Sequence, residues 1–381
     1  MAETQDFQVQ RATPADVERL GQMLDTVYRP WLTPGEGMPK EFPHLFCAEN
    51  AHHLYYVEED GNPVSMIATL PQKVVMQGIA VDVVSIGSVV TIPQYQGRQI
   101  SSAILDRVVT DWAAAGIPLM LVSGDRGLYR RIHCTSVGSR LEVIWNGTGG
   151  EQHRLHGQSA ATDVINKGQR IVEIQATSRA DWAPRLAPLY RAEAYRYRRT
   201  DAQMATLMNA LWFARDGYSQ RLFVILQGET VSAYVIAYQA LKSPETVEVM
   251  EWAGSRVAVI DAFNEILSAF DANHIRFYVH QSDRTMQSLV EARGLDYHRI
   301  PLQGTIRILD IPAVFRVLAP IFAERFGSEA VVQQDGSLWK VQVGEHLFAT
   351  ESLGELTSFV FDSGKGKLGI EFVHTDDLNY I

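Results

Sequence analysis

The chain has 381 residues, 46% of them hydrophobic and 20% charged, and a net charge of −10 at pH 7. That length exceeds what one ordinary core serves and suggests two or three domains, and the acidic balance excludes nucleic acid as the main partner because phosphate binding needs a basic surface. No window approaches the ~18 to 20 uninterrupted apolar residues of a membrane span, the polar start MAETQDFQVQ is no secretory signal, and two cysteines, Cys47 and Cys134, give neither a disulfide framework nor a metal cluster. A cytoplasmic address follows, and the negative charge is compatible with a cationic substrate such as an amine.

The segment FQVQRATPADVERLGQMLDTVY reads as a short strand and then a helix. Thr13 can cap it, Pro14 suits its first position and Asp16 lies three after the cap. Val17, Leu20, Leu24 and Val27 recur at helical spacing and predict one buried face. A loop with Trp31, Pro34, Gly35, Glu36 and Gly37 follows, read as a lid over a substrate pocket. Asp25 and Glu36, with Trp31 beside them, are the candidates for holding a cationic substrate. From Leu54 the pattern turns β, with LYYVEED, a turn at Gly61 and Asn62, and PVSMIATLPQKVVM forming a hairpin.

The stretch from Val83 to Ser102, VVSIGSVVTIPQYQGRQISS, is an apolar strand, a proline, a polar turn with one glycine, and the start of an amphipathic helix. A strand emptying into a helix leaves the first turn's N–H groups without partners, with their positive end facing outward, which makes an anion site. Gly97 lets backbone come close to a phosphate, and Ser101 and Ser102 add hydroxyl donors. At Gln99 a positive φ costs roughly 1 kcal/mol relative to glycine. The helix runs on to Ala114 and packs Ile104, Leu105, Val108, Val109 and Trp112 on a sheet. PLMLVSG is then a short buried strand, and GLYRRI a helical turn.

The second half repeats the first. IQATSRADWAPRLAPLY, from Ile174, echoes VQRATPADVERLGQML with a one-residue insertion. LFVILQGETVSAYVIAY places Phe223, Val224, Gly228, Val231 and Ser232 on Tyr56, Val57, Gly61, Val64 and Ser65. A helix with Ile260, Phe263, Ile266, Leu267 and Phe270 precedes the strand IRFYVH, and Asp283-Arg284 falls on Asp125-Arg126. Two units at long period indicate a tandem duplication. VEVMEWAGSRVA in the second copy has no glutamine-rich turn, and Gln287 stands where the first copy has Tyr129, so one unit works and the other has kept its fold without its site. From about Pro301, GTIRILDIPAVFRVL, WKVQVGEHLFA and ESLGELTSFVF read as a small α+β domain that serves packing or oligomerisation, or carries a lipid. His133, Cys134 and the pair His52-His53 lack the partner spacing of a nucleophile or metal site and read as structural.

Gln94, Tyr95, Gln96, Gly97, Arg98 and Gln99 resemble the acyl-coenzyme A loop of the GNAT N-acetyltransferases, with Gln99 in place of the usual second small residue. The order of a GNAT unit, a degenerate second unit and the tail motif RILDIPAVF (Arg307 to Phe315) resembles, over essentially the whole chain, the Eis (enhanced intracellular survival) family, whose third domain looks like a sterol carrier protein. The resemblance implies an α+β fold with a catalytic GNAT domain at 1–150, a degenerate GNAT domain at 151–300 and a sterol-carrier-like domain at 301–381. It implies direct transfer of the acetyl group of acetyl-CoA to a primary amine on a small molecule or peptide, without a metal, by a homo-oligomer. Carried onto this chain, strand contacts to the thioester fall on Val89, Val90 and Thr91, and phosphate contacts on Gly97, Arg98, Gln99, Ile100, Ser101 and Ser102. Tyr129 takes the place of the general acid for the leaving thiolate, a task a phenol suits at neutral pH. The carboxylate of Ile381 takes the place of the base. Two other readings are a non-catalytic acyl-CoA or lipid-binding protein and a FemX-like aminoacyltransferase, and the acidic charge and the CoA-type loop argue against the latter.

Overall fold

The computed structural model describes residues 7–147, 168–210, 220–240, 243–375 and 377–381, so the expected boundary at 150/151 lies outside the described residues. Packing divides the chain into two compact units, one of Met1–Gly138, Ala194–Arg198 and Pro301–Ile381, the other of Ser139–Glu193 and Arg199–Ile300. Among the described residues, no helix is long and apolar enough to cross a membrane.

The sheet of the first unit runs β1 (Gln10–Arg11), β2 (Leu54–Glu59), β3 (Asn62–Met76), β4 (Ile79–Thr91), β5 (Leu119–Val122) and β14 (Thr305–Ile308), with β8 (Tyr195–Tyr197) added to the far end of β3. The two hairpin turns have positive φ at both central residues, Asp60 and Gly61 in one and Gln77 and Gly78 in the other. This is the geometry that matches strand twist in a two-residue loop. The first turn therefore sits one residue earlier than the Gly61-Asn62 reading, because Asn62 already pairs with Glu59. Pro71 is tolerated inside β3 because it lies beyond Ala68, the last partner of β2, so its missing N–H breaks no ladder on that side.

Helix α1 (Val17–Tyr28) and the short α2 (Met38–Glu41) cover one face of this sheet, where Leu20, Leu24, Phe42 and Leu45 meet Met66, Ala68 and Val90. Helix α3 (Ile100–Ala114) connects the parallel strands β4 and β5 and covers the other face, with Ile104, Leu105, Val108 and Trp112 against Tyr55, Ile67, Val84 and Ile86. Leu20, Leu24 and Ile104 have no exposed surface, and each such side chain contributes about 1.5–3 kcal/mol by leaving water. A five-residue helix, α4 (Gly127–Arg131), follows β5.

Residues 301–381, expected as a third domain, share a core with this sheet. Ile306, Phe315, Phe322, Phe359 and Phe372 cluster with Val74, Val81, Val83, Leu119 and Leu121. Strand β14 pairs antiparallel with β5, from Thr305 opposite Val122 to Ile308 opposite Leu119. Helix α10 (Ile311–Val317) follows, capped by Asp310 Oδ1 on the Ala313 N–H at 2.9 Å. A three-stranded antiparallel sheet of β15 (Ala330–Asp335), β16 (Leu338–Val343) and β17 (His346–Thr350) and the helix α12 (Leu353–Phe361) follow, and the tail returns to the first sheet.

In the second unit the order is β13 (Asp296–Pro301), β6 (Ser139–Asn146), β12 (His274–His280), β11 (Ser243–Gly254), β10 (Thr230–Ala240), β9 (Arg221–Gln227) and β7 (Gln169–Ile174). Read from its other edge, β7-β9-β10-β11-β12-β6 repeats β1-β2-β3-β4-β5-β14, down to the single parallel pair at β11 and β12. The duplication is therefore present in the fold, with one exchange. The strand that follows the first copy, β6, completes the second sheet beside β12, and β14 from the last part of the chain completes the first.

Candidate active site

Strands β4 and β5 pair only as far as Ile86 and Val122. Beyond that point β4 is bulged, because Val90 faces Met66 and Gly87 faces Ala68, leaving Ser88 and Val89 together opposite Ile67. Ser88 takes φ +51°, a left-handed conformation that costs a residue with a Cβ about 1–2 kcal/mol. A bulge bends its strand and ends pairing, and here it opens a cleft at the carboxyl end of the parallel pair.

The ladder shows which groups face that cleft. Ile92 N–H donates to the Val64 carbonyl at 3.0 Å and Ser65 Oγ donates to the Val90 carbonyl at 2.9 Å, so Val90 bonds toward β3. Antiparallel alternation then turns the main-chain polar groups of Thr91 to the open side, where its carbonyl accepts from Gln96 Nε2 at 3.1 Å, while its hydroxyl stays with Ser65 Oγ on β3 at 2.8 Å. The Val89 carbonyl accepts from the Tyr28 hydroxyl. Of the three expected strand contacts, Thr91 therefore turns its main chain to the open side, the Val89 carbonyl is taken by Tyr28, and the Val90 carbonyl bonds to β3.

Two residues of the loop beyond β4 are left-handed. Gly97 holds φ +81°, and nothing lies within 4 Å of where a Cβ would project. Gln99, immediately before α3, holds φ +64°, so the position does require the left-handed region. Ser102 and Ala103 donate to the Gln99 carbonyl at 3.0 and 3.1 Å, whereas the N–H groups of Gly97, Arg98, Gln99, Ile100 and Ser101 have no acceptor among the described residues. Five donors at the positive end of a helix are groups that suit an anion. The Arg98 side chain turns away to pair with Glu59 beside the Tyr95 ring, leaving its main chain for the loop. Arg131, which the sequence did not single out, brings Nη2 to 3.4 Å from Ser102 Oγ. Gln99→Gly is expected to stabilise the fold by about 0.5–1 kcal/mol, the left-handed cost less the extra chain entropy glycine carries. A chemical denaturation midpoint that stays level or falls would show that Gln99 is not strained.

Tyr129 stands on α4 just past the end of β5, its ring edge beside Gly124. Burial pushes its phenol up to about 12; Arg126 opposes this, and Tyr28, Cys134 and Tyr380 each add a smaller upward push. Its hydroxyl makes no hydrogen bond among the described residues and is not sealed from solvent. Ile381 is 5% exposed and packs with Leu20, Leu24, Met66 and Val90. A Cβ on Gly87 would lie 2.4 Å from the Ile381 carbonyl carbon, so the tail is seated directly on β4 beside the bulge. Tyr380 packs near Phe42, ring centroids 6.5 Å apart.

The lid candidates fare differently. Asp25 is 1% exposed and accepts from the N–H groups of Gly35, Gly37 and Met38 at 2.7, 3.0 and 2.7 Å. Its carboxylate is consumed in holding the loop, which corrects the expectation that it binds a substrate cation. Glu36 pairs with Lys40 at the surface, and Trp31 is 58% exposed. The sequence also left out the fully buried Glu41, which takes two hydrogen bonds from Arg29 at 2.7 and 2.5 Å and anchors the root of the same loop. No group of three or more His, Cys, Asp or Glu among the described residues is placed to hold a metal.

The corresponding region of the second unit is closed by its own side chains. Strand β11 passes into α7 (Arg256–Asp261) with only Ser255 between them. Arg256 at that helix start is paired with Glu193 and Asp283. Gln287, at the place of Tyr129, donates to the carbonyls of His280 and Gln281 at 3.3 and 2.7 Å. Arg199 and Glu251 are buried and paired at 2.7 Å, and the Tyr234 hydroxyl donates to Glu251 at 2.8 Å.

The family model of the acetyltransferase (GNAT) domain matches residues 8–135, from before β1 to the end of the first copy. No curated protein matches. Solved structures of similar fold include a GCN5-related N-acetyltransferase from Anabaena variabilis ATCC 29413, at 12% identity and a TM-score of 0.62 over 97% of each chain. Eis1 from Mycobacterium abscessus matches at 15% identity and 0.59, over 97% of this chain and 100% of that one. A probable N-acyltransferase from Enterococcus faecalis V583 matches at 15% and 0.58, over 82% and 75%. At these identities the likeness is one of fold, and it makes the architecture a tandem GNAT arrangement of the α+β class.

Proposed function

We propose that the chain, whose residues 8–135 form a GNAT acetyltransferase domain, moves the acetyl group of acetyl-CoA to a primary amine by direct transfer in a ternary complex. The observation that carries this reading is the bulged, splayed end of β4, followed after one short turn by a loop of five N–H groups that have no acceptor among the described residues. The donor supplies an activated thioester and a pyrophosphate anion. The N–H groups from Gly97 to Ser101 hold the anion at the positive end of α3. Open-side main-chain donors of Val89 and Thr91 orient the thioester and stabilise the oxyanion as the amine nitrogen bonds to the carbonyl carbon.

As the carbon–sulfur bond breaks, the Tyr129 hydroxyl donates a hydrogen bond to the forming thiolate. An ordinary thiol ionises at about 8.5, well below this phenol at about 12, so Tyr129 stabilises the sulfur anion while keeping its proton. In this reading a carboxylate at Ile381 would take the proton that the ammonium gives up before its neutral nitrogen attacks, and the nitrogen's second proton leaves with the sulfur as the free thiol of CoA. Burial of the tail against Gly87 supports that role. The segment from Pro301 serves the reaction by packing on the first sheet and delivering this tail.

Acetyl-CoA at about 100 times its Kd is expected to stabilise the fold by about 2.7 kcal/mol, read as a rise in Tm. Free CoA should appear when polyamines, aminoglycosides or lysine peptides are added. No shift and no release across the panel would end this reading.

A further inference from the structure

Tyr28, the last residue of α1, has no part in the chemistry above, yet its hydroxyl reaches across to β4 and donates to the Val89 carbonyl. The acceptor lies one residue past Ser88, which holds φ +51° in the bulge. This piece of β4 is weakly determined by the sheet, since β5 has left it at Val122 and Ser88 Oγ is buried without a partner among the described residues. A strained residue persists only where its surroundings over-determine it, and the Tyr28 bond supplies that determination from outside the sheet. On the open side the carbonyls of Val89 and Thr91 are capped by Tyr28 and Gln96, which leaves N–H groups as the polar atoms offered to a ligand.

Tyr28 is itself firmly held. Its carbonyl accepts from Arg29 Nη1 at 2.8 Å, and Arg29 is fixed by its paired bonds to the buried Glu41. The root of the loop that Asp25 organises is thereby tied to the strand where the reaction takes place.

We propose that Tyr28 is a positioning residue for acyl transfer, its hydroxyl clamping the Val89 carbonyl so that the open-side amides of the bulged strand stay aimed at the thioester. The proposal rests on the acyl-transfer reading. Tyr28 exchanges no proton with the substrate, since its own proton is committed to a main-chain carbonyl.

Comparison of Tyr28→Phe and Tyr28→Leu tests it. Loss of the hydroxyl alone should lower kcat for amine-dependent CoA release about tenfold in both variants. The KM for acetyl-CoA and the Tm shift it causes should stay near wild type, because the Gly97 loop is untouched. Amide hydrogen exchange at Ile92, whose N–H is bonded to the Val64 carbonyl just past the bulge, should accelerate about tenfold with the β3 and β4 amides far from the bulge unchanged. A Phe variant with wild-type kcat, or one in which kcat and acetyl-CoA binding fall together, overturns the proposal. A wild-type protein that releases no CoA with any acceptor defeats the acyl-transfer reading instead. In that event exchange still decides on the clamp, and unchanged exchange in the Phe variant overturns it.

Discussion

Replacing Tyr129 with Phe is expected to lower turnover roughly 10- to 100-fold, because a hydrogen bond to a charged group contributes about 1.5–3 kcal/mol and each 1.4 kcal/mol is a factor of ten. The ring that fills the space beside Gly124 is kept, and the phosphate loop is on another element, so the Tm shift with acetyl-CoA should persist. The pH dependence sharpens the test. With its phenol at about 12, Tyr129 holds its proton throughout the range from about pH 7 to 10 that an ordinary tyrosine would begin to leave. Wild type and Phe variant should therefore give parallel profiles in that range, displaced in height. An alkaline fall in wild-type kcat that the Phe substitution removes would show that the phenol ionises far below the value burial implies. Unchanged turnover would remove Tyr129 from the chemistry.

Gly87→Ala is expected to unseat the tail. Gly87 has no left-handed φ, so alanine suits its backbone and the only serious conflict is with Ile381, whose carbonyl carbon and oxygen would lie 2.4 and 2.6 Å from the new methyl. Releasing the buried Ile381 side chain forfeits about 1.5–3 kcal/mol, which chemical denaturation reads directly. Displacing a reacting group by about 1 Å costs roughly a hundredfold in rate, so amine acetylation should fall by that order while acetyl-CoA still binds. Proteolysis should also find the tail more readily in the variant. Full activity with wild-type stability would mean that the tail is not seated on β4 as described.

Some of this site was legible in the residues themselves. The chain from Val83 to Ser102 announces a strand, a turn and a helix start through its own apolar run, Pro93, Gly97 and the periodicity of Ile104, Leu105 and Val108. The left-handed requirement at Gln99 was readable as a question, because a position beside a glycine-led turn is one where a Cβ is costly, and the structure answers it with φ +64°. Asp25 shows the opposite case. A carboxylate near a lid loop suggests a substrate cation, and only the fold reveals that three loop N–H groups already use it. Tyr28 left no signal at all, because its partner is a main-chain carbonyl that looks the same at every position.

By itself the sequence determined the class of the fold, its duplication and the left-handed turn that leads into α3, since each of these rests on periodicity or main-chain conformation encoded within a few neighbouring residues. Tertiary structure alone decided that β6 and β14 exchange sheets, that β4 is bulged at Ser88 and Val89, and that Ile381 comes to rest on Gly87. Those outcomes depend on pairing and shape complementarity between segments far apart in the chain, and an alternating strand or an apolar tail residue carries no local mark of the partner that will bury it.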